Sequence, residues 1–259
     1  MSRVLVATLL AAALAGCSAP RLAVEPRVAR PSVSGHVASA APGDPLTSND
    51  IAGDLNLEED DAAPGVRADL EFGSPHVVLA WSRSENEGDG TLTGQIADDG
   101  VVLTAGTDVA TSVDLGLFSA LVTFDLVPSE TFELGLGFGL HVADLEADVV
   151  SREVGNPGRV RLDTTIPIPV LALQAGAEFG RFEISGLLSG IYYAADGDEA
   201  TFYDVDLGAR FRILGESVAG SIAAGWHYTR LDAEYADSND NADVDLRLSG
   251  PYLGLTISF

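Results

Sequence analysis

The residues of this chain best suited to acid–base chemistry are its histidines, and serines are plentiful around them. His76, His141 and His227 are spread over the long C-terminal part of the sequence. A histidine within hydrogen-bond reach of a serine hydroxyl can act as a base and activate it as a nucleophile. The spacing of these residues matches no specific catalytic motif, and a histidine among glycines, such as His141, more often has a structural role. We therefore expect no catalytic residue and no enzymatic activity.

Two acidic segments offer hard oxygen ligands for Ca²⁺ or Mg²⁺. Residues 85–90 approach the oxygen spacing at the start of an EF-hand loop, but Ile96 stands where the bidentate glutamate is needed. Residues 237–243 form the second cluster. Like-charged loops commonly do no more than keep a surface soluble. We expect no metal ion or other cofactor at either segment.

The elements that must position these residues are strands with alternating apolar side chains. In residues 243–249, Val244, Leu246 and Leu248 alternate with polar residues, and Leu253 to Phe259 continue the alternation with its phase shifted by one. A period of two places alternate side chains on one face of a strand. The shift at Gly250-Pro251 predicts a β-bulge. A chain that stops on such a strand favours a closed barrel, in which the last strand pairs with the first.

The same pattern predicts eight strands after residue 65. They cover about 66–84, 107–127, 132–142, 160–179, 181–195, 199–214, 217–235 and 243–259. The connections alternate between short turns and longer acidic loops, as in transmembrane barrels. The predicted fold is all-β: an eight-stranded antiparallel up-and-down transmembrane β-barrel over residues 65–259, with interfacial aromatic girdles. The girdle residues would be Trp81, Tyr203, Trp226, Tyr228 and Tyr252.

Composition supports a membrane barrel and argues against two other classes. The chain has 39 acidic and 14 basic residues, a net charge of −25, 28 glycines and 46% hydrophobic residues. Disordered chains combine high charge with low hydrophobicity, which this chain does not have. Strong acidity argues against nucleic-acid binding, because phosphates need basic patches.

An eight-stranded barrel has an interior that its own side chains fill. If the apolar residues face lipid, the charged residues of the same strands face the lumen, where they must pair or be hydrated. We expect a lumen charge network that bridges strands. Its predicted members are Glu133, His141, Asp204, Asp206, Arg210, Arg212 and Arg247.

The N-terminus has the features of an exported lipoprotein. Arg3 is followed by an apolar run over residues 4–15. This run is too short to span a bilayer and is typical of a secretory signal. The sequence Leu-Ala-Gly-Cys that ends at Cys17 resembles the bacterial lipoprotein box, which implies cleavage after residue 16 and a lipid on Cys17. Residues 17–64 are rich in Ala, Pro and Ser and partly acidic, and predict a disordered, flexible tether.

The final residues Tyr252 to Phe259 resemble the closing strand of small bacterial outer-membrane barrels of the OmpA/OmpX type. The resemblance implies a monomeric, structural barrel in the cell outer membrane, with both termini in the periplasm and the long loops outside the cell. It also implies contact with outer-membrane lipid and lipopolysaccharide, and insertion by the barrel-assembly machinery.

Three alternatives remain open from the sequence. The barrel could be a narrow channel or a transporter of a lipophilic ligand. It could be a lipid-A-modifying enzyme that uses His141 or His227. It could also be a soluble lipocalin-like barrel in the periplasm, because the alternation would equally allow the apolar side chains to point inward.

Overall fold

The computed structural model describes residues 20–40, 46–57, 62–98, 101–127, 129, 131–153, 158–195, 198–214, 219–236 and 241–259. The predicted signal peptide, 1–16, and the predicted lipidation site, Cys17, lie outside these residues. Among the described residues there is no helix long and apolar enough to cross a bilayer.

The described chain is built of β-strands. The first seven are β1 (Arg21–Ala29), β2 (Ser32–Ala40), β3 (Asn49–Asp50), β4 (Ala63–Glu71), β5 (Pro75–Thr91), β6 (Ile96–Asp98) and β7 (Val101–Leu103). The others are β8 (Asp108–Asp125), β9 (Phe132–Ser151), β10 (Arg159–Phe179), β11 (Phe182–Ala195), β12 (Asp198–Leu214), β13 (Ala219–Ala236) and β14 (Asn241–Ser258).

Ten of these strands close an antiparallel barrel, so the prediction of a closed barrel is confirmed and the count of eight is wrong. The order is β1-β4-β5-β8-β9-β10-β11-β12-β13-β14, and β14 pairs back onto β1. One of the two extra strands comes from 66–84, which is not a single kinked strand. Gly73, with a φ of 83°, allows the tight turn that separates β4 from β5.

The other extra strand lies inside the segment predicted to be a tether. β1 pairs with β4 along its whole length and with β14 on its other edge, and β2 continues along β14 in the same register. The prediction of a disordered 17–64 is therefore wrong for the described residues of that segment, and the barrel begins at Arg21. Leu22 and Val28 are exposed on the outer face, whereas Glu25 is buried in the lumen. One side of this strand therefore contributes apolar residues to the outer face, and the other contributes a charged residue to the lumen.

The connections divide the barrel into two ends, as predicted. Short turns at 72–74, 126–131 and 180–181 share one end, here called the lower end, with Arg21 and Phe259. Leu22 and Phe259 exchange two backbone hydrogen bonds there. The longer connections, between β5 and β8 and between β9 and β10, begin and end at the opposite, upper end. An even number of strands brings Arg21 and Phe259 to the same end.

The apolar side chains change faces halfway up the wall. Below the level of Trp81 and Trp226, large apolar side chains cover the outside, and this part is here called the lower barrel. Above that level, in the upper barrel, a cluster of apolar side chains points inward and many charged side chains point outward, although Tyr192 and Tyr193 are also exposed there. The exposed apolar residues of the lower barrel include Leu79, Phe118, Phe124, Leu136, Phe138, Leu171, Leu188, Tyr203, Leu207, Ile222, Leu253 and Leu255.

The phase shift in β14 results from this change in the face that carries the apolar side chains, and a β-bulge does not cause it. β13 pairs with β14 without a register shift from Ala219 to Ala236. The predicted bulge at Gly250-Pro251 is therefore wrong. The apolar positions move from the inner to the outer face because the surroundings of the outer face change. Tyr252 consequently points into the lumen and is 4% exposed, so its assignment to an aromatic girdle is also wrong.

The upper barrel has a hydrophobic core of its own, closed by the upper connections. The buried cluster comprises Val33, Ile51, Leu55, Leu57, Leu92, Ile96, Leu103, Val109, Val149, Val160 and Leu246. Residues 46–57 lie so close to β5 that a Cβ at Gly90 would be 1.9 Å from the carbonyl oxygen of Asp54. The buried Asn49 accepts backbone hydrogen bonds from Thr93 and Gly94 through Oδ1. The loops are thus folded into the barrel.

Candidate functional site in the barrel interior

The interior of the lower barrel holds a network of buried ion pairs. The strands β1, β4, β11, β12 and β14 contribute to it, so it links the two ends of the chain across the lumen. Its charged members are Glu25, Arg27, Arg67, Asp69, Glu183, Asp206 and Arg210.

Asp206 is the centre of one half of the network. It accepts hydrogen bonds from Arg27 Nη1 at 2.6 Å and from Tyr252 Oη at 2.8 Å. Arg67 Nη1 lies 3.4 Å from the same carboxylate. The guanidinium carbon of Arg27 stands 4.3 Å from the centre of the Tyr252 ring, which adds a cation–π contact. A buried carboxylate held in this way is compensated by both charge and hydrogen bonds.

Arg210 is the centre of the other half. Its Nε donates to Glu25 at 2.7 Å, its Nη1 to Glu183 at 2.8 Å, and its Nη2 to Asp69 at 3.1 Å. Arg67 donates from Nε to Asp69 at 2.9 Å and thereby connects the two halves. One arginine thus satisfies three carboxylates from three strands, which fixes the relative positions of β1, β4 and β11 around β12.

Sequence reasoning found part of this network. Asp204, Asp206 and Arg210 face the lumen as predicted, and Asp204 pairs with His227 at 2.8 Å. Glu133 faces the lower lumen, and Arg212 lines its lower rim. The sequence does not predict Glu25, Arg27, Arg67 and Asp69 as members, because the predicted tether covers the first two and the single strand predicted over 66–84 includes the others.

Arg247 is a correction. It lies on the outer face of the upper barrel and not in the lumen, since it has the same parity in β14 as Leu253. It forms an ion pair with Asp245, which also accepts from Arg230. Burial would raise the pKa of Asp245, but the hydrogen bonds from Arg247 and Arg230 hold that pKa below its usual range.

His141 points into the lumen from β9 and is fully buried between two serines. Ser119 Oγ is 2.8 Å from its Nδ1, and Ser189 Oγ is 2.7 Å from its Nε2. The ring also packs against Phe202, with 4.8 Å between ring centres. Both nitrogens are occupied and the side chain is 0% exposed, so no substrate can reach it. The arrangement is that of a structural cross-link between strands.

The segment predicted to resemble an EF-hand does not form a loop. Residues 85–90 belong to β5, where successive side chains point to opposite faces, and Asn86 is buried on the inner one. An extended strand cannot wrap its ligands around one ion. In the second acidic segment, residues 237–240 lie outside the described residues.

A cavity of about 940 Å³ occupies the lower end of the lumen. Its lining is largely polar and includes charged residues and a histidine: Arg21, Asp69, Glu71, His76, Asp125, Glu133, Glu183 and Arg210. The charge network forms its roof and separates it from the apolar core of the upper barrel. A polar cavity of this kind suits water, ions or a small polar ligand.

No protein-family model and no curated protein matches the chain. Among solved structures, the outer-membrane protease OmpT from Escherichia coli is similar over 92% of this chain and 97% of its own, with a TM-score of 0.51 and 11% identity. The chain has the fold of a bacterial outer-membrane β-barrel protein. Neisserial surface protein A covers 92% of this chain and 97% of its own, with 13% identity and a TM-score of 0.33. OprG from Pseudomonas aeruginosa covers 93% and 96%, with 10% identity and a TM-score of 0.39.

The outer-membrane fold decides whether the apolar side chains of the strands point outward to lipid or inward to a cavity, which the sequence left open. The apolar residues of the lower strands point outward and the charges of the network point inward. The soluble lipocalin-like alternative requires the reverse and is wrong for this part of the barrel. The upper barrel, with its inward apolar core and charged outer side chains, has the arrangement of a soluble protein.

Proposed function

We propose that the protein is a structural outer-membrane lipoprotein, whose closed barrel holds a folded acidic head above the membrane. The observation that carries this proposal is the reversal of the apolar face at half height. The lower barrel is built to contact lipid, and the upper barrel is built to stand in water. An outward apolar run of eleven residues, such as 132–142, rises about 25 Å on a tilted strand, which matches the apolar band of outer-membrane barrels.

The same reversal supports an orientation for the chain. The lower end, with its short turns and both termini, would face the periplasm, and the upper barrel would be extracellular. Charged residues on its outer face would meet the lipopolysaccharide headgroups, including the ion pairs Arg83–Asp114, Arg159–Asp148 and Arg161–Glu146. The protein would be inserted by the barrel-assembly machinery and act as a monomer.

A lipid on Cys17 would lie close to the barrel wall. Cys17 is only four positions before Arg21 in the sequence, a reach of at most about 14 Å. The anchor would therefore enter the membrane leaflet next to β1 and would not act at the end of a long tether. The lipid would therefore attach the barrel itself to the membrane a second time, and would not anchor a domain that lies away from the membrane.

The interior supports a closed barrel rather than a channel. Through the described residues, the lumen passes from the charged cavity to the ion-pair network and then to the apolar core. An ion crossing it would have to displace paired charges and then enter a hydrophobic cluster that includes Leu92, Leu103 and Val109. The polar lining of the lower cavity also disfavours a lipophilic ligand.

Neither histidine proposed for the catalytic alternative, a lipid-A-modifying enzyme, lies on the lipid-facing side of the barrel. His141 is buried between two serines, and His227 pairs with Asp204 inside the lumen. A lipid-A-modifying enzyme needs its catalytic groups where the lipid can reach them. The structural assignment therefore accounts better for both histidines.

Planar-bilayer recording of the purified, folded protein tests the proposal. Folding is first verified by heat-modifiable gel mobility, and a channel-forming porin in the same membranes serves as the positive control. We expect the protein to stay folded in cold detergent and to show no sustained single-channel steps. Reproducible conductance by the folded fraction would contradict the closed-barrel function.

A further inference from the structure

Three potential metal ligands meet at the wall of the lower cavity. His76 lies on β5, Asp125 on β8 and Glu133 on β9, which are adjacent strands of the barrel. His76 Nε2 is 3.1 Å from Asp125 Oδ1, and His76 Nδ1 is 3.3 Å from Glu133 Oε1. One ligand atom of each residue lies within 4.8 Å of the other two.

We propose that His76, Asp125 and Glu133 form a binding site for a divalent transition-metal ion of the Zn²⁺ type. One imidazole and two carboxylates form a ligand set that Zn²⁺ accepts, at 2.0–2.2 Å from each donor atom. Two tetrahedral ligands of one such ion are about 3.3–3.6 Å apart. Side-chain rotations that move the ligand atoms by about 1 Å would bring all three within that distance. Three protein ligands leave a coordination position open to water from the cavity.

The Asp125 carboxylate provides an independent observation. Its Oδ1 is a buried oxygen with no hydrogen-bond partner in the structure, although His76 Nε2 is only 3.1 Å away. Buried polar atoms are nearly always satisfied, and leaving one unpaired costs free energy. A cation bound between Asp125 and His76 would satisfy this oxygen.

Neighbouring polar residues hold Glu133 in place. Gln174 donates from Nε2 to Glu133 Oε1 at 2.5 Å, and Gln174 Oε1 itself accepts from Thr123 at 2.8 Å. Metal ligands are commonly oriented by such second hydrogen bonds. Gln174 and Thr123 reach this point from β10 and β8.

The cavity supplies access, since all three ligands line it. Glu71 lies directly opposite His76 in the β4–β5 register and adds a third carboxylate beside the histidine. Five arginines also line the cavity, so the attraction for a cation is local to these carboxylates and is not a property of the whole cavity. The alternative without a metal is a protonated His76 that bridges Asp125 and Glu133, which predicts no response to metal.

Calorimetric titration with Zn²⁺ alone tests the proposal. The full chain without a histidine tag is folded in detergent at pH 7.5, and Co²⁺ absorption reports ligand geometry in parallel. We expect one Zn²⁺ per barrel with a dissociation constant tighter than about 10 µM. His76→Ala and Asp125→Asn should each weaken binding at least about tenfold, and Gln174→Leu, which only positions Glu133, should weaken it by up to about tenfold.

His36→Ala is the matched control, because His36 also pairs with one aspartate, Asp243, at 3.2 Å at the upper end of the barrel. It should leave Zn²⁺ affinity unchanged. Heat-modifiable mobility identifies any variant that fails to fold, and Asp125→Asn keeps the shape of the side chain. Binding only at millimolar Zn²⁺, or binding of equal affinity in wild type and in folded His76→Ala and Asp125→Asn, would overturn the proposal.

Discussion

Leu248 and Leu253 lie five residues apart on one uninterrupted strand, and their side chains point to opposite sides of the barrel wall. Leu253 is 67% exposed on the outside, whereas Leu248 packs against the buried core of the upper barrel. The register between β13 and β14 is continuous through both positions. The two leucines therefore mark a boundary between surroundings of different polarity, which we interpret as the upper surface of the membrane.

A charge on the outer face should be costly only below this boundary. Leu255→Arg is expected to destabilise the barrel by about 2–4 kcal/mol, the cost of an arginine near the middle of the bilayer, because Leu255 is exposed about midway between the boundary and Phe259. Ser112→Arg, at an exposed position of the upper barrel, should cost less than about 0.5 kcal/mol. Reversible urea unfolding in lipid vesicles measures both values. Equal costs at the two positions would contradict the boundary.

The upper core should respond to truncation like the core of a soluble protein. Leu103 is 1% exposed, and Leu103→Ala is expected to cost about 2–5 kcal/mol. The loss should appear as faster hydrogen exchange in 92–107 and not in the lower strands. Leu171→Ala removes the same atoms from a side chain that is 71% exposed, and is the matched control. A comparable loss in the control would argue against a packed upper core.

Substitutions of Glu25 and Arg210 should be energetically coupled, because the two residues form a buried ion pair. Glu25→Gln or Arg210→Met alone leaves buried charges uncompensated and is expected to cost about 3–5 kcal/mol. Because the two changes affect the same contact, the double variant should cost clearly less than their sum. The midpoint of heat-induced mobility change orders the variants, and urea unfolding gives the coupling. Strict additivity would show that the pair does not contribute.

The pH dependence of the upper barrel should include Asp245. Its folded-state pKa is below the usual value because Arg247 and Arg230 offset the effect of burial. Its contribution to stability is therefore full above the unfolded pKa of about 3.9 and disappears as the pH falls through the lower folded value. Hydrogen exchange of 241–249 between pH 6 and pH 2 measures the loss. Asp245→Asn should flatten this part of the profile, and an unchanged profile would exclude the contribution.

The sequence predicted the features of the fold that depend on alternation and connection length. The outward apolar face of 132–142, the inward Asp204, Asp206 and Arg210, and the shared end of both termini all follow from a period of two and an even strand count. These predictions succeeded because the lower barrel has one medium outside and one inside, so parity alone assigns each side chain.

The failures have a common physical cause. Alternation shows which faces differ in polarity but not which medium lies on each side, so the shift at Gly250 was interpreted as a bulge. A bulge there implies that Arg247 faces the lumen, whereas the girdle assignment of Tyr252 rests on its aromatic side chain and not on its parity. β1 was missed because Pro26 and a composition rich in alanine resemble a linker. The outward Leu22 and Val28, alternating with inward Glu25 and Arg27, were the signal that could have identified it.

Depth-resolved spin labelling tests the central claim most directly. Nitroxides are placed singly at positions 247, 248 and 253 of a Cys17→Ser protein in lipid vesicles, and their exposure to oxygen and to a water-soluble nickel complex is compared. We expect the label at 253 to be accessible to oxygen, the label at 247 to nickel, and the label at 248 to neither. A label at 253 exposed to nickel, or one at 248 exposed to lipid-dissolved oxygen, would contradict the reversal of faces on which this account rests.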